Sequence, residues 1–120
     1  MKLITKAQRQ RMMVNHRNND TLNDEVISLH CEPVVKIIDN RGKIIALLTD
    51  IDPDYTHHGF GLTDCGGLEL GFFDIESFEE PVDRKAHSLA PRYRRDRHWR
   101  ADETLSEYAA IAFEAGRIIA

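Results

Sequence analysis

Pro33-Val34-Val35-Lys36-Ile37-Ile38-Asp39-Asn40-Arg41-Gly42-Lys43-Ile44-Ile45-Ala46-Leu47-Leu48-Thr49 decides the fold class. Two β-branched, apolar runs flank Asp39-Asn40-Arg41-Gly42, a segment with turn chemistry and a glycine available for positive φ, so the stretch predicts a β-hairpin. Working downstream, Asp52-Pro53-Asp54 opens a second turn, because proline fixes φ and the flanking carboxylates can accept backbone N–H bonds. Phe60, Leu62 and Asp64 alternate with Gly61 and Thr63, and Leu68, Leu70 and Phe72 alternate with Glu69, Gly71 and Phe73. Period-2 alternation predicts two further strands, joined through Cys65-Gly66-Gly67. The expectation is a four-stranded antiparallel meander.

Helical signals bracket this sheet. Thr5-Lys6-Ala7-Gln8 has capping-box spacing and predicts a helix over about 5–16, followed by a loop at 17–24 rich in Asn and Asp. Thr104-Leu105-Ser106-Glu107 is a second capping box. Leu105, Tyr108, Ala109, Ala112 and Phe113 follow it at i, i+3, i+4, i+7 and i+8, and Gly116 stands where a helix would end. Residues 75–80 suggest a helical turn stopped by Pro81, and Pro81 and Pro91 interrupt any period over 81–93. The expected architecture is α+β, one antiparallel sheet packed on one face by the N-terminal and C-terminal helices. At 120 residues and 42% hydrophobic content the chain suits a single compact domain spanning 1–120 with its own core.

Charge is sorted into blocks. Residues 1–19 carry +5, 20–83 carry −12 with fifteen acids against three bases, 84–100 carry +6 and 101–120 carry −3. Such sorting bears on association more than on fold, because surface potential selects partners by sign. No run is long and apolar enough to span a bilayer, and the start lacks the apolar run of a signal peptide, so a cytoplasmic protein without a membrane partner is expected. Cys31 and Cys65 fit that compartment as reduced thiols.

Leu3-Ile4-Thr5-Lys6-Ala7-Gln8-Arg9, Pro33-Val34-Val35-Lys36, Leu47-Leu48-Thr49-Asp50-Ile51-Asp52-Pro53, Phe60-Gly61-Leu62-Thr63-Asp64-Cys65-Gly66, Glu69-Leu70-Gly71-Phe72, Arg95-Asp96-Arg97-His98-Trp99 and Leu105-Ser106-Glu107-Tyr108-Ala109 occur in this order. Together they resemble domain-of-unknown-function family 2958 across nearly the whole chain. The resemblance implies a setting on plasmids and other mobile elements and no established catalytic residue. The Asn-rich 17–24 and Arg92-Tyr93-Arg94-Arg95 depart from the family pattern.

Candidate chemistry divides into three classes. Asp50, Asp52, Asp54, Asp64, Glu69, Asp74, Glu76, Glu79 and Glu80 could form an acidic contact face. On a mobile-element protein such a face would suit docking onto a basic, nucleic-acid-binding groove of another protein, an anti-defence inhibitor type of action, since charge complementarity raises encounter rates and rejects wrong partners. The bland alternative is a solvated sheet face.

The second class is nucleic-acid binding by Arg92, Arg94, Arg95, Arg97 and Arg100, with Tyr93, His98 and Trp99 as stacking surfaces. The plainer expectation is that these arginines pair with the acidic segment and that Trp99 joins the core. The third is a small metal-dependent enzyme using His57 and His58 with Asp52, Asp54, Asp64 or Cys65. Adjacent histidines on an extended chain point oppositely, which weakens it.

Asp50 to Gly61 imitates the start of a calcium loop but carries Tyr55 at position six and Gly61 at position twelve, losing the turn glycine and the bidentate ligand. Cys65 beside Gly66-Gly67 is a poor nucleophile signal, and Gly59-Phe60-Gly61 lacks the rest of a dinucleotide fingerprint. No metal and no cofactor is expected, and the balance leans away from an enzyme.

Overall fold

The computed structural model describes residues 3–22, 30–79 and 93–120. In chain order they form α1 (Lys6–Leu22), β1 (Val35–Asp39), β2 (Ile44–Asp52), β3 (Tyr55–Asp64), β4 (Leu68–Asp74), α2 (Glu76–Glu79), β5 (Tyr93–Arg95) and α3 (Leu105–Ala115). The strands make one antiparallel sheet in the order β4-β3-β2-β1-β5. The α+β class and the meander β1 to β4 stand as expected.

Two particulars differ from the sequence-based expectation. A fifth strand, β5, adds to the outer edge of β1 in the register Ile37↔Arg95 and Asp39↔Tyr93. Three residues are too few to display alternation, which is why the arginine-dense segment did not announce a strand.

The terminal helices also cover opposite faces of the sheet instead of one. Met12 of α1 packs with Ile4, Val35, Ile37, Ala46, Leu48 and Ile51, whereas Leu105, Tyr108, Ala109 and Ala112 of α3 pack with Leu47 and Leu62. Neighbours on a strand point to opposite faces, so Leu47 and Leu48 serve different cores. The sequence held the signal. Ile45 to Ile51 are all buried, and the unbroken apolar run of β2 is what a strand covered on both sides requires.

Turn chemistry holds the hairpins as anticipated. Asp39 Oδ1 accepts from the N–H groups of Arg41 at 2.8 Å and Lys43 at 2.9 Å, and Gly42 sits at φ 88°. The Lys43 amide, then that of Arg41, holds the Asp39 carboxyl below its ordinary range. At α3 both arms of the capping box are made, and Gly116 closes the helix at φ 79°. Leu105 and Tyr108 contribute about 1.5–3 kcal/mol each through burial. Phe113 does not join them and is 52% exposed.

At α1 the Thr5 hydroxyl and the Gln8 amide satisfy each other's backbone N–H groups. The helix runs to Leu22, past the expected end near 16 and through Asn18 and Asn19, whose local helix propensity is weak. Residues 23–24 of the expected loop, and 80–92, lie outside the described residues. No helix among the described residues is long and apolar enough to cross a membrane.

Candidate functional site

β2 ends, and β3 begins, at the same end of the sheet where β4 ends. That geometry gathers side chains from three strands and from α1. At Thr49 the β2–β3 register shifts; the Thr49 hydroxyl donates to Phe60 O at 2.9 Å, and Asn15 Nδ2 donates to Thr49 O at 2.8 Å. Asn15 thereby seats the helix, and His16 follows it. His16 Nδ1 lies 3.9 Å from Asp50 Oδ1 and Nε2 lies 3.8 Å from Asp52 Oδ1, so each ring nitrogen faces a different carboxylate. His16 was not legible as a site residue, since nothing local in the sequence links position 16 to position 50.

Asp50 is 2% exposed and lies beneath this contact. Asp52 is half-buried and its Oδ1 accepts from Asp54 N at 2.9 Å, the Asx-type turn that the Asp-Pro-Asp pattern implied. Asp54 is exposed.

Ile51 pairs with Gly59 but Asp52 pairs with Tyr55, so Thr56, His57 and His58 of β3 are extra residues that bulge from its ladder with β2. The bulge overrides the alternation expected of an extended chain: the His57 and His58 rings meet edge-on with centroids 4.7 Å apart, and Tyr55 lies 5.8 Å from His58. Asp74 stands opposite His58 on β4. Its Oδ1 accepts from Glu76 N at 2.9 Å, its main-chain carbonyl accepts from Ser77 Oγ at 2.6 Å, and Ile75 N donates to His57 O at 2.8 Å. Asp74 and Glu76 are both exposed.

The nine candidate acids are therefore divided. Asp50, Asp52, Asp54, Asp74 and Glu76 share one end of the sheet. Asp64 and Glu69 belong to the other, near the β1–β2 turn. Asp64 is only 6% exposed and pairs with Lys43 Nζ at 3.5 Å. Glu69 is exposed and stands five residues from Asp74, roughly 17 Å along the strand. Burial removes Asp50 and Asp64 from any outward face. Glu79 ends α2 and Glu80 lies outside the described residues.

In the basic segment, Arg94, Arg97 and Arg100 are exposed, and Arg92 lies outside the described residues. Arg95 is half-buried and its Nη1 donates to Leu3 O, clasping the N-terminal segment instead of a carboxylate. The acids expected as its partners meet His16 and Lys43. Trp99 packs on the α3 core, 6.0 Å from Tyr108, with Lys36 Nζ over its ring at 5.8 Å. Lys36 itself is buried and pairs with Asp96 at 3.6 Å.

Among the described residues no group of three or more His, Cys, Asp or Glu is placed to hold a metal ion. Residues 50–61, which imitate a calcium loop in sequence, are strand, turn and strand. Burial, and then the Asp50 charge, pushes the half-buried Cys31 thiol up, away from the thiolate a nucleophile needs. Cys65 is exposed in the β3–β4 turn, next to Gly66 at φ 93°.

No curated protein and no solved structure matches the chain. A family model described as a protein of unknown function (DUF2958) matches residues 3–119, and the chain belongs to that family.

Proposed function

We propose that this chain is a non-enzymatic, protein-binding accessory protein that docks onto a basic surface of its partner through the acidic end of its sheet. The observation that carries the reading is the convergence of Asp52 at the end of β2, Asp54 in the β2–β3 turn, Asp74 at the end of β4 and Glu76 at the start of α2 onto one end of a sheet packed on both faces. The Asp52 and Asp74 carboxylates are fixed by backbone N–H groups, so little side-chain freedom is lost on binding. The mobile-element setting implied by the family resemblance would supply a partner with a matching groove: a host nucleic-acid-handling or defence complex whose basic channel the acidic end would occupy by sign.

The test compares tagged wild type with an Asp54→Lys/Glu76→Lys double variant for capture of proteins from the native host, identified by mass spectrometry. Both positions are exposed, so folding should survive. Wild type should retain a basic partner that is released at about 0.3 M salt, where screening shortens the reach of surface charge. The double variant should retain none. Equal, salt-insensitive capture by both proteins overturns the reading.

The exposure of Arg94, Arg97 and Arg100 favours one second reading, a nucleic-acid surface on the β5 side. Its affinity would fall steeply with salt. A flat gel-shift titration at low salt removes it.

A further inference from the structure

The two edges of the sheet are built differently. β5 is three residues long and carries Arg94 and Arg95, the short, charged form that discourages further pairing. β4 is seven residues long, Leu68-Glu69-Leu70-Gly71-Phe72-Phe73-Asp74, with neither proline nor a basic residue. It pairs with β3 along its whole length, from Asp64↔Leu68 to His58↔Asp74, and no strand lies on its other side among the described residues.

Its two faces differ as well. On the α3 side Leu70 is 37% and Phe72 78% exposed, and Phe72 meets Phe60 edge-on at 5.2 Å. On the α1 side Glu69 is exposed, and the place a Cβ would take at Gly71 is open, with no atom within 4 Å. A strand laid beside β4 would thus meet apolar side chains on one face, and a carboxylate next to an empty site on the other. From Leu68 to Glu79 there are four acids, Glu69, Asp74, Glu76 and Glu79, and no base. A second copy would bring an edge of the same sign and no base to answer Glu69, whereas a strand carrying Lys or Arg answers Glu69 and has room at Gly71 for the long side chain.

Resting on the docking reading above, we infer that the free edge of β4 binds an extended segment of the partner protein in which basic and apolar residues alternate. Main-chain bonds to the edge supply affinity. Leu70 and Phe72 on one face and Glu69 with Gly71 on the other supply selectivity.

The probe is a fluorescein-labelled seven-residue peptide alternating Lys and Val, compared with its backbone N-methylated form and a Glu/Val version. Anisotropy reports binding, and hydrogen exchange over residues 68–74 reports where. The Lys/Val peptide should bind the wild-type chain and slow exchange at β4, and the other two should not. Phe72→Lys and Glu69→Lys, both at exposed positions and checked for an unchanged urea midpoint, should each weaken binding about tenfold or more.

If the N-methylated peptide binds equally and exchange at 68–74 is unaffected, the edge inference falls. Loss of that binding in Asp54→Lys/Glu76→Lys would then leave the docking reading standing. If edge binding persists in that double variant while partner capture is equal and salt-insensitive in both proteins, the edge is supported and the docking reading falls instead. Absence of peptide binding to the wild-type chain overturns the inference. So does a β4-protected dimer in sedimentation without peptide, which would make a second copy the occupant.

Discussion

Gly61 and Gly71 face each other across β3 and β4, yet alanine should have opposite effects at the two positions. A Cβ at Gly61 would lie 2.2 Å from Leu47 O, 3.0 Å from Leu48 Cα and 3.1 Å from Leu47 C. All three are backbone atoms of the neighbouring strand, so no side chain can swing aside. Restoring ordinary contact to Leu47 O would require more than an ångström of separation between β2 and β3 at the Leu48↔Gly61 pair. That separation would strain the ladder in the middle of the sheet and open the Leu47–Leu62 contact beneath α3. Overpacking costs about 1–3 kcal/mol and each weakened ladder bond about 1 kcal/mol more, so Gly61→Ala should destabilise by about 3–5 kcal/mol. At roughly 4 °C per kcal/mol, Tm should fall by about 12–20 °C. At Gly71 nothing lies within 4 Å and φ is not positive, so Gly71→Ala should be neutral or stabilising by up to about 1 kcal/mol, through the unfolded chain. Urea unfolding followed by Trp99 fluorescence compares the two. Unfolding free energies that agree to within about 0.5 kcal/mol, or a Gly61 variant as stable as wild type, would refute the close approach of β2 to β3.

Other expectations follow from the α3 side and the thiols. Tyr108 Oη donates to Asp102 Oδ1 at 2.7 Å and accepts from Asp102 N at 3.2 Å, so Tyr108→Phe should cost about 1–2 kcal/mol at neutral pH in denaturant titrations. Burial first, and then the bond to Asp102, pushes the Tyr108 phenol up, so its contribution is complete below about pH 10 and lost as pH rises through the folded value. The variant should therefore lack part of the wild-type alkaline decline; identical decline in both proteins would contradict the assignment. Thr104→Ala removes the hydroxyl arm of the capping box, the acceptor of Glu107 N, and leaves the arm from the backbone N–H of residue 104 to Glu107; it should cost about 1 kcal/mol, with fraying visible as faster exchange at Leu105 to Glu107. Cys65 should react with a thiol reagent well before Cys31, whose thiol burial and then Asp50 push up; equal rates would contradict the burial of Cys31.

Local chemistry was legible and long-range placement was not. Thr104 with Glu107, Thr5 with Gln8, and Asp39 with Gly42 are motifs whose partners lie within four residues, and each forms as its spacing implies. The two-sided cover of the sheet was written in Ile45 to Leu48, but an unbroken apolar run reads the same in a half-covered strand until the helices are placed. Phe113 matched the helical period and still stands outside the α3 core, because its angle lies at the margin of a narrow buried stripe. At the candidate site the Asp52–Asp54 turn was foreseeable. The His16 contact with Asp50 and Asp52 depends on where α1 docks on β2, and the bulge at Thr56 to His58 on tertiary register; neither leaves a mark in the sequence.

The sheet order carries a temporal consequence. β1 to β4 close as successive hairpins between near neighbours, but β5 joins Ile37 to Arg95 across almost half the chain. At about 5–20 residues per second of synthesis, Arg95 leaves the peptidyl-transferase centre roughly 3–12 s after Ile37. During that interval the nascent meander has no fifth strand, and the outer hydrogen-bonding groups of β1 wait for it. Docking of the arginine strand, with its clasp onto Leu3, is then a late, high-contact-order step that ties the segment before α1 to the strand before α3.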